Sequence, residues 1–203
     1  MSGALDDGSA GLLAIKRRGG VALVHNPYEA LFPGMPQSAL RHVEADALLP
    51  VDEIGPLLDR LARESAEEKG AYPVPSDMEF ESKMAGLDPT VVDSGEHIGE
   101  ISALSCPECA GPLYEIDDGG LLRFRCRVGH AYTAESMLEG KSEVLESALY
   151  LALNTLQESA TMSERLAARA NGQGHDRAAA SFEERAREAR RSAAVIRQVL
   201  TDT

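Results

Sequence analysis

The sequence predicts an α/β segment followed by a small zinc-binding β-hairpin and an α-helical hairpin. Three observations carry that reading. Helix and strand signals alternate over residues 1–69; all three cysteines and a histidine fall within residues 106–130; and apolar residues recur at helical intervals over residues 133–203.

The first element is a helix over about residues 9–18. Leu12, Leu13 and Ile15 give it an apolar face, and Lys16, Arg17 and Arg18 suit its C-terminal partial charge. Asp7 or Ser9 is the expected cap, and Gly19 or Gly20 the left-handed stop. "GVALVHNP" then supplies a β-branched run ended by Asn26-Pro27. Loop, helix and strand in that order make half of a βαβ unit whose first strand is missing. In "EALFPGMPQSALRHV", Pro36 and Ser38 precede Ala39, His42 and Val43 at helical spacing, and "DALLPV" is a second short apolar run. Ile54, Leu57, Leu58 and Leu61 mark one face of a further helix. Residues 70–104, with three prolines and weak periodicity, read as a mostly extended linker.

Residues 105–132 differ in kind. The spacing Cys106-x2-Cys109-x16-Cys126-x3-His130 offers two ligand pairs, each on a tight turn, and a hairpin with "DDGG" at its tip brings the turns together. Zinc takes four such ligands in a tetrahedron. Cys106, Cys109, Cys126 and His130 form a closed set, so the metal is expected to be structural. The competing reading, buried thiols beside a surface imidazole, leaves the spacing unexplained. Ala110 falls just after Cys109, at a turn position where a glycine would tolerate positive φ more easily, and Gly111 is the alternative residue for that role. Arg123, Arg125 and Arg127 alternate with Leu122, Phe124, Cys126 and Val128, so one face of the second strand packs and the other carries guanidinium groups. An acidic protein surface or solvent is the expected neighbour of that face.

Thr133 is a candidate N-cap for the tail. The apolar stripe breaks at "NGQGH" (171–175) and resumes through Ala178, Phe182, Ala186, Ala189, Ala193, Ile196 and Leu200. An antiparallel hairpin follows, or a coiled coil completed by self-association through these helices. "FEERAREARR" reads as a solvated face with i,i+4 pairs.

Composition sets limits. The chain has 203 residues, 43% of them hydrophobic, and a net charge of −13, which argues against binding a phosphate backbone; no nucleic-acid partner is expected. Residues 76–104 hold seven acidic residues against Lys83 alone. No apolar run reaches the roughly 18 residues of a membrane helix, so no membrane insertion is expected, and without a leader the expected location is cytoplasmic.

"SGALDDGSAGLLAIKRRGG" followed by "EALFPGMPQSAL" resembles the C-terminal part of the catalytic domain of CheB-like chemotaxis protein-glutamate methylesterases, over about residues 2–62. "CPEC…RFRCRVGHAY" and the helical tail look like an extension fused to some members of that family. The resemblance implies a serine hydrolase that removes methyl groups from glutamyl methyl esters on chemoreceptors. It also implies a doubly wound parallel sheet with a Ser-His-Asp triad, of which Asp7 is the acid that orients the histidine. In the family the nucleophilic serine, the histidine and their strands lie upstream. The chain is therefore expected to be a C-terminal piece, inactive alone, with a partial sheet and open edges over residues 1–69, whose partners are a methylated chemoreceptor or an upstream half. The alternative is a zinc-stabilised protein-interaction module in a signalling system.

Overall fold

The computed structural model describes residues 5, 6, 8–65 and 74–202. Asp7 lies outside the described residues. The chain divides into two compact units, Met1–Gly140 and Lys141–Thr203.

In the first unit, α1 (Ser9–Arg17), β1 (Leu23–His25), α2 (Gly34–His42), β2 (Ala47–Leu49) and α3 (Val51–Arg63) follow the alternation read from the sequence. β1 and β2 pair in parallel with Leu23 opposite Ala47 and His25 opposite Leu49, and α2 makes the crossover between them. Ala22, Val24, Ala39 and Val43 are buried at this junction. The expected side-chain cap of α1 is absent among the described residues: Gly8, at φ 82°, is the N-cap, and the buried Ser9 hydroxyl instead donates to Ser38 on α2 at 3.2 Å. The stop is as expected. Gly19 adopts φ 74° and its N–H reaches the Lys16 carbonyl at 2.9 Å, while Gly20 N–H reaches that of Ile15 at 3.0 Å.

The stretch read as mostly extended carries α4 (Ser76–Ala85), α5 (Pro89–Val92) and β3 (Glu100–Ser105). Its few apolar residues lack a clean period because Met84 and Val91 each bury singly, so packing on neighbours replaces an amphipathic stripe. β3 pairs with β4 (Pro112–Asp117), β4 with β5 (Leu122–Cys126), and β5 with β6 (Ala131–Thr133), all antiparallel. The expected hairpin is thus the centre of a four-stranded sheet, turning at Asp118–Leu121. Phe124, Leu113 and Met137, the last from the first turn of α6 (Ala134–Gly172), form its core with Cys106 and Cys126.

Thr133 caps α6 as expected. Its hydroxyl accepts the Ser136 N–H at 3.3 Å and the Ser136 hydroxyl accepts the Thr133 N–H at 2.9 Å, a reciprocal cap. In the second unit α6 runs to Gly172 and α7 spans Asp176–Asp202, with the break where the sequence placed it. Ala160, Ser163, Ala167 and Ala170 on α6, and Ala179, Ala186, Ala189 and Ala193 on α7, are buried. Small side chains at a seam let helix axes approach closely, and Arg190 reaches across to Glu164 at 2.6 Å. No described helix is long and apolar enough to cross a membrane.

Candidate metal centre and acid loop

Two turns of the same design build the candidate metal centre. In the first, Cys106 to Ala110, the Ala110 N–H bonds the Cys106 carbonyl at 2.9 Å and the Cys106 N–H bonds the Gly111 carbonyl at 2.8 Å. Ala110 itself takes the positive φ, 56°, that its place after Cys109 suggested. In the second, Cys126 to His130, the Gly129 N–H bonds the Cys126 carbonyl and the Cys126 N–H the His130 carbonyl, each at 3.0 Å. Gly129 sits at φ 99°, and a Cβ there would lie 2.9 Å from the Met84 carbonyl oxygen. A side chain at that position is therefore excluded twice.

The turns bring together one donor atom from each of Cys106, Cys109, Cys126 and His130, all within 4.8 Å of one another. Cys109 Sγ lies 3.7 Å from Cys126 Sγ, and His130 Nδ1 lies 3.5 Å from both Cys106 Sγ and Cys126 Sγ. A tetrahedron with metal–sulfur bonds of about 2.3 Å and metal–nitrogen bonds of about 2.05 Å has S···S edges near ~3.8 Å and S···N edges near ~3.55 Å. The three donor–donor distances above match such edges, so the cluster is compatible with a tetrahedral metal site.

Two neighbours of the site were not singled out from the sequence. Glu108, between the first two cysteines, lies 3.1 Å from His130 Nε2, so the ring presents Nδ1 to the sulfurs. The Tyr132 hydroxyl donates to Glu108 at 2.6 Å and lies 3.5 Å from Cys106 Sγ. Burial raises the Cys106 thiol, but the hydrogen bonds from Tyr132 and from the Cys109 and Glu108 amides outweigh it and hold the group down at about 6. Burial, then the bonds to Cys106 and Glu108, push Tyr132 above the ordinary phenol range. Burial also raises Cys126. The signal for Glu108 was its place inside the Cys-x2-Cys turn; Tyr132 had none until β6 folded back.

The guanidinium face of β5 is covered by the chain's own acid. Glu81 on α4 takes both terminal nitrogens of Arg123 at 2.9 Å and Arg125 Nη2 at 3.3 Å, and Asp118 meets Arg123 at 3.1 Å. The arginine side chains are 15% and 13% exposed. Burial opposes the charge on Arg123, yet Glu81 and Asp118 raise its pKa further.

The α/β segment meets the ribbon through polar links. Arg17 pairs with Asp118 at the β4–β5 turn, and Arg41 holds Glu135 at 2.5 and 2.6 Å. Asp6, 3% exposed, accepts a hydrogen bond from the Thr133 hydroxyl at Oδ2, and its carbonyl accepts the Ser9 N–H at 3.2 Å. Asp7 is the next residue along.

What these parts make is an α/β segment joined to a ribbon whose three cysteines and one histidine cluster in a way compatible with a metal ion. Residues 1–58 match the family model of the CheB methylesterase, so this part of the chain is CheB-methylesterase-like, as the opening motifs suggested. The chain is also similar to proteins of two strains of Leptospira interrogans (serovars copenhageni and Lai) named "Putative protein-glutamate methylesterase/protein-glutamine glutaminase". Each is 36% identical over 69 residues, which make up 34% of this chain and 36% of the relative, so the match spans about a third of their length. A Rhodobacter capsulatus protein named "Uncharacterized 104.1 kDa protein in hypE 3'region" is 41% identical over 64 residues, 31% of this chain and 7% of that protein. No solved structure matches the chain.

Proposed function

We propose that this chain serves a chemotaxis protein-glutamate methylesterase, in which residues 1–58 supply the acid-bearing part of the hydrolase and the ribbon is a zinc-stabilised extension. The observation that carries the reading is the family match over residues 1–58, a stretch whose sequence includes Asp7-Gly8. In a Ser-His-Asp hydrolase the carboxylate fixes the tautomer of the imidazole and stabilises its protonated form while the serine attacks the ester carbonyl. Asp7 takes the carboxylate's part. The serine and histidine come from a further segment of such a domain, and the substrate is a glutamyl methyl ester on a chemoreceptor. The Cys3His set holds a structural zinc, because four protein donors fill the tetrahedron and leave no position for substrate.

The test is co-expression of this chain with the serine- and histidine-bearing part of a methylesterase catalytic domain. The pair should hydrolyse a glutamyl methyl ester, the chain alone should not, and Asp7→Asn should lower turnover by about 10³- to 10⁴-fold. Turnover indifferent to Asp7→Asn overturns the reading.

A second reading, a zinc-stabilised interaction module, draws on one observation. Leu145 and Leu151 on α6 are well exposed, an apolar surface that suits a signalling partner or a second copy of the helices.

A further inference from the structure

We propose that Lys141–Thr203 pairs with the same residues of a second copy of this chain, two helical hairpins closing into one four-helix bundle. The inference gives the exposed surface of α6 a single occupant, and it stands apart from the ester chemistry of the methylesterase reading.

The hairpin is short of a core. Among the described residues of Lys141–Thr203, the buried ones are seven alanines and Ser163. Leu149, Leu153, Leu156, Phe182, Ile196 and Leu200 are only partly buried, so every large apolar side chain of the unit still meets water. Burying a methyl group contributes little, and a unit of about 60 residues is marginal even with a full core.

The uncovered surface has the pattern of a second seam. Val144, Ala148, Leu151, Thr155 and Met162 fall within about 60° of one another at about 100° per residue, and about a third of a turn from the alanine seam. Positions 144, 151, 158 and 148, 155, 162 repeat every seven residues, the period of a helix packed along another. The polar members are accommodated within α6. The Thr155 hydroxyl donates to the Leu151 carbonyl at 2.9 Å, and Asn154 donates to Glu158 at 3.0 Å and draws that carboxylate to the edge of the stripe. Glu164, on the other side of the alanine seam, meets Arg190 of α7 at 2.6 Å, so the two helices turn a polar side the same way. Ile196 lies across the α7 seam from Arg190, on the side of the α6 stripe. The hairpin therefore has one polar and one apolar face.

Charge and size fit the apolar face to a second copy. Lys141–Thr203 holds nine basic and nine acidic residues, so the whole −13 of the chain lies before it. Two copies meet through these helices without net repulsion, and a strongly charged partner finds no field to steer it. α7, with 27 residues, is about 40 Å long, and two helices side by side are about 20 Å across. The face thus spans roughly 800 Å² per copy, the share that one partner contributes to a stable interface of standard size. A two-fold pair needs no more than this one face from each chain.

The experiment uses the full zinc-loaded chain. Sedimentation equilibrium should give twice 21.7 kDa, with a dissociation constant of about 1 μM or tighter, the range for interfaces of this size. The melting temperature of the helical signal should rise with chain concentration, because pairing and folding are linked. Leu151→Glu places a charge in the bundle's core and should weaken pairing about a hundredfold, whereas Tyr150→Glu, on the polar face, should leave the mass unchanged. Should Leu151→Glu not fold, Leu151→Ala keeps the helix and should weaken pairing about tenfold. A wild type that stays at 21.7 kDa with a melt indifferent to concentration overturns the inference, even if it captures a different protein through this face. So does a dimer that the Leu151 variants leave intact or that Tyr150→Glu breaks. Ester hydrolysis is not the readout, so this result and the Asp7→Asn result of the methylesterase test stand or fall separately.

Discussion

The α/β segment and the ribbon hold themselves together in opposite ways. The segment has two three-residue parallel strands and a small core of Ala22, Val24, Ala39 and Val43, while Tyr28 and Leu31 stand 95% and 86% exposed. The ribbon concentrates its order at one point: four donors, with Leu113, Phe124 and Met137 packed beside them. A sheet with evenly shared contacts weakens by degrees, whereas a fold organised round an ion is lost at once when the ion goes.

Removing the metal is therefore the largest test. Chelation, or Cys109→Ser, should abolish amide protection in β4 and β5, since so few buried side chains cannot fold a sheet of this size unaided. Structural zinc sites are worth roughly 10 kcal/mol of apparent folding free energy at neutral pH. Circular dichroism should keep the helical signal of α6 and α7, whose alanine seam in Lys141–Thr203 needs no ion. Elemental analysis that finds one zinc per chain in Cys109→Ser would reject the donor set.

The next effect in size is at Glu81. Its removal takes the main counter-ion from two mostly buried guanidinium groups, leaving Arg123 with Asp118 and Arg125 with the Gly129 carbonyl; their Nε atoms have no partner among the described residues. Glu81→Gln should destabilise the first unit by about 3 kcal/mol, the range for breaking one side of a buried ion pair. The triple variant Glu81→Leu with Arg123→Met and Arg125→Met should recover most of the loss, because it removes both guanidinium charges along with their shared acid. Equal loss in denaturant melts of the single and triple variants would mean that α4 packs through Met84 alone.

A smaller contrast separates the two regions in the unaltered protein. With metal bound, amides of β4 and β5 should exchange at least about tenfold more slowly than those of β1 and β2, where each strand has one ladder neighbour and three residues. Strong, equal protection in β1 and β2 would show that the α/β segment is self-sufficient.

What could be read from the sequence follows the same division. The clustering of Cys106, Cys109, Cys126 and His130 was legible because ligand geometry imposes spacing, and the β4–β5 turn because "DDGG" demands it. The sequence left the positive φ of the first turn open between Ala110 and Gly111, and it falls on Ala110. α6 and α7 were legible from their period and from the break at 171–175. The helices of residues 76–92 were not, since Met84 and Glu81 are each fixed by a distant neighbour rather than by a repeat. Of the two cap candidates for α1, Asp7 lies outside the described residues, and Ser9 found Ser38, twenty-nine residues away, a partner that a local rule cannot see. Glu108, Tyr132 and the Thr133–Asp6 bond depend on β6 folding back and on contacts across 127 residues, which leave no local mark.

The smallest effect lies at Asp46, on the α/β side. Its carboxylate accepts the Ala22 N–H at 2.7 Å and pairs with Lys16 at 2.5 Å, and the backbone bond first, then the lysine, hold its pKa below the ordinary carboxylate range. A carboxylate with a depressed folded pKa contributes stability that is fully present above its unfolded value, near ~3.9, and is lost as pH falls through the lower folded value. Because both side chains are partly in solvent, at 30% and 38% exposure, the pair is worth under about 1 kcal/mol. Asp46→Asn keeps an acceptor for Ala22 and loses only the charge. Wild type should thus exceed the variant in stability by a small, constant amount above about pH 5, and the two should converge as pH falls below ~3.8. Urea melts at several pH values read this directly, and a gap that widens on acidification would mean that the Lys16 pair does not act on β1 and β2 at all.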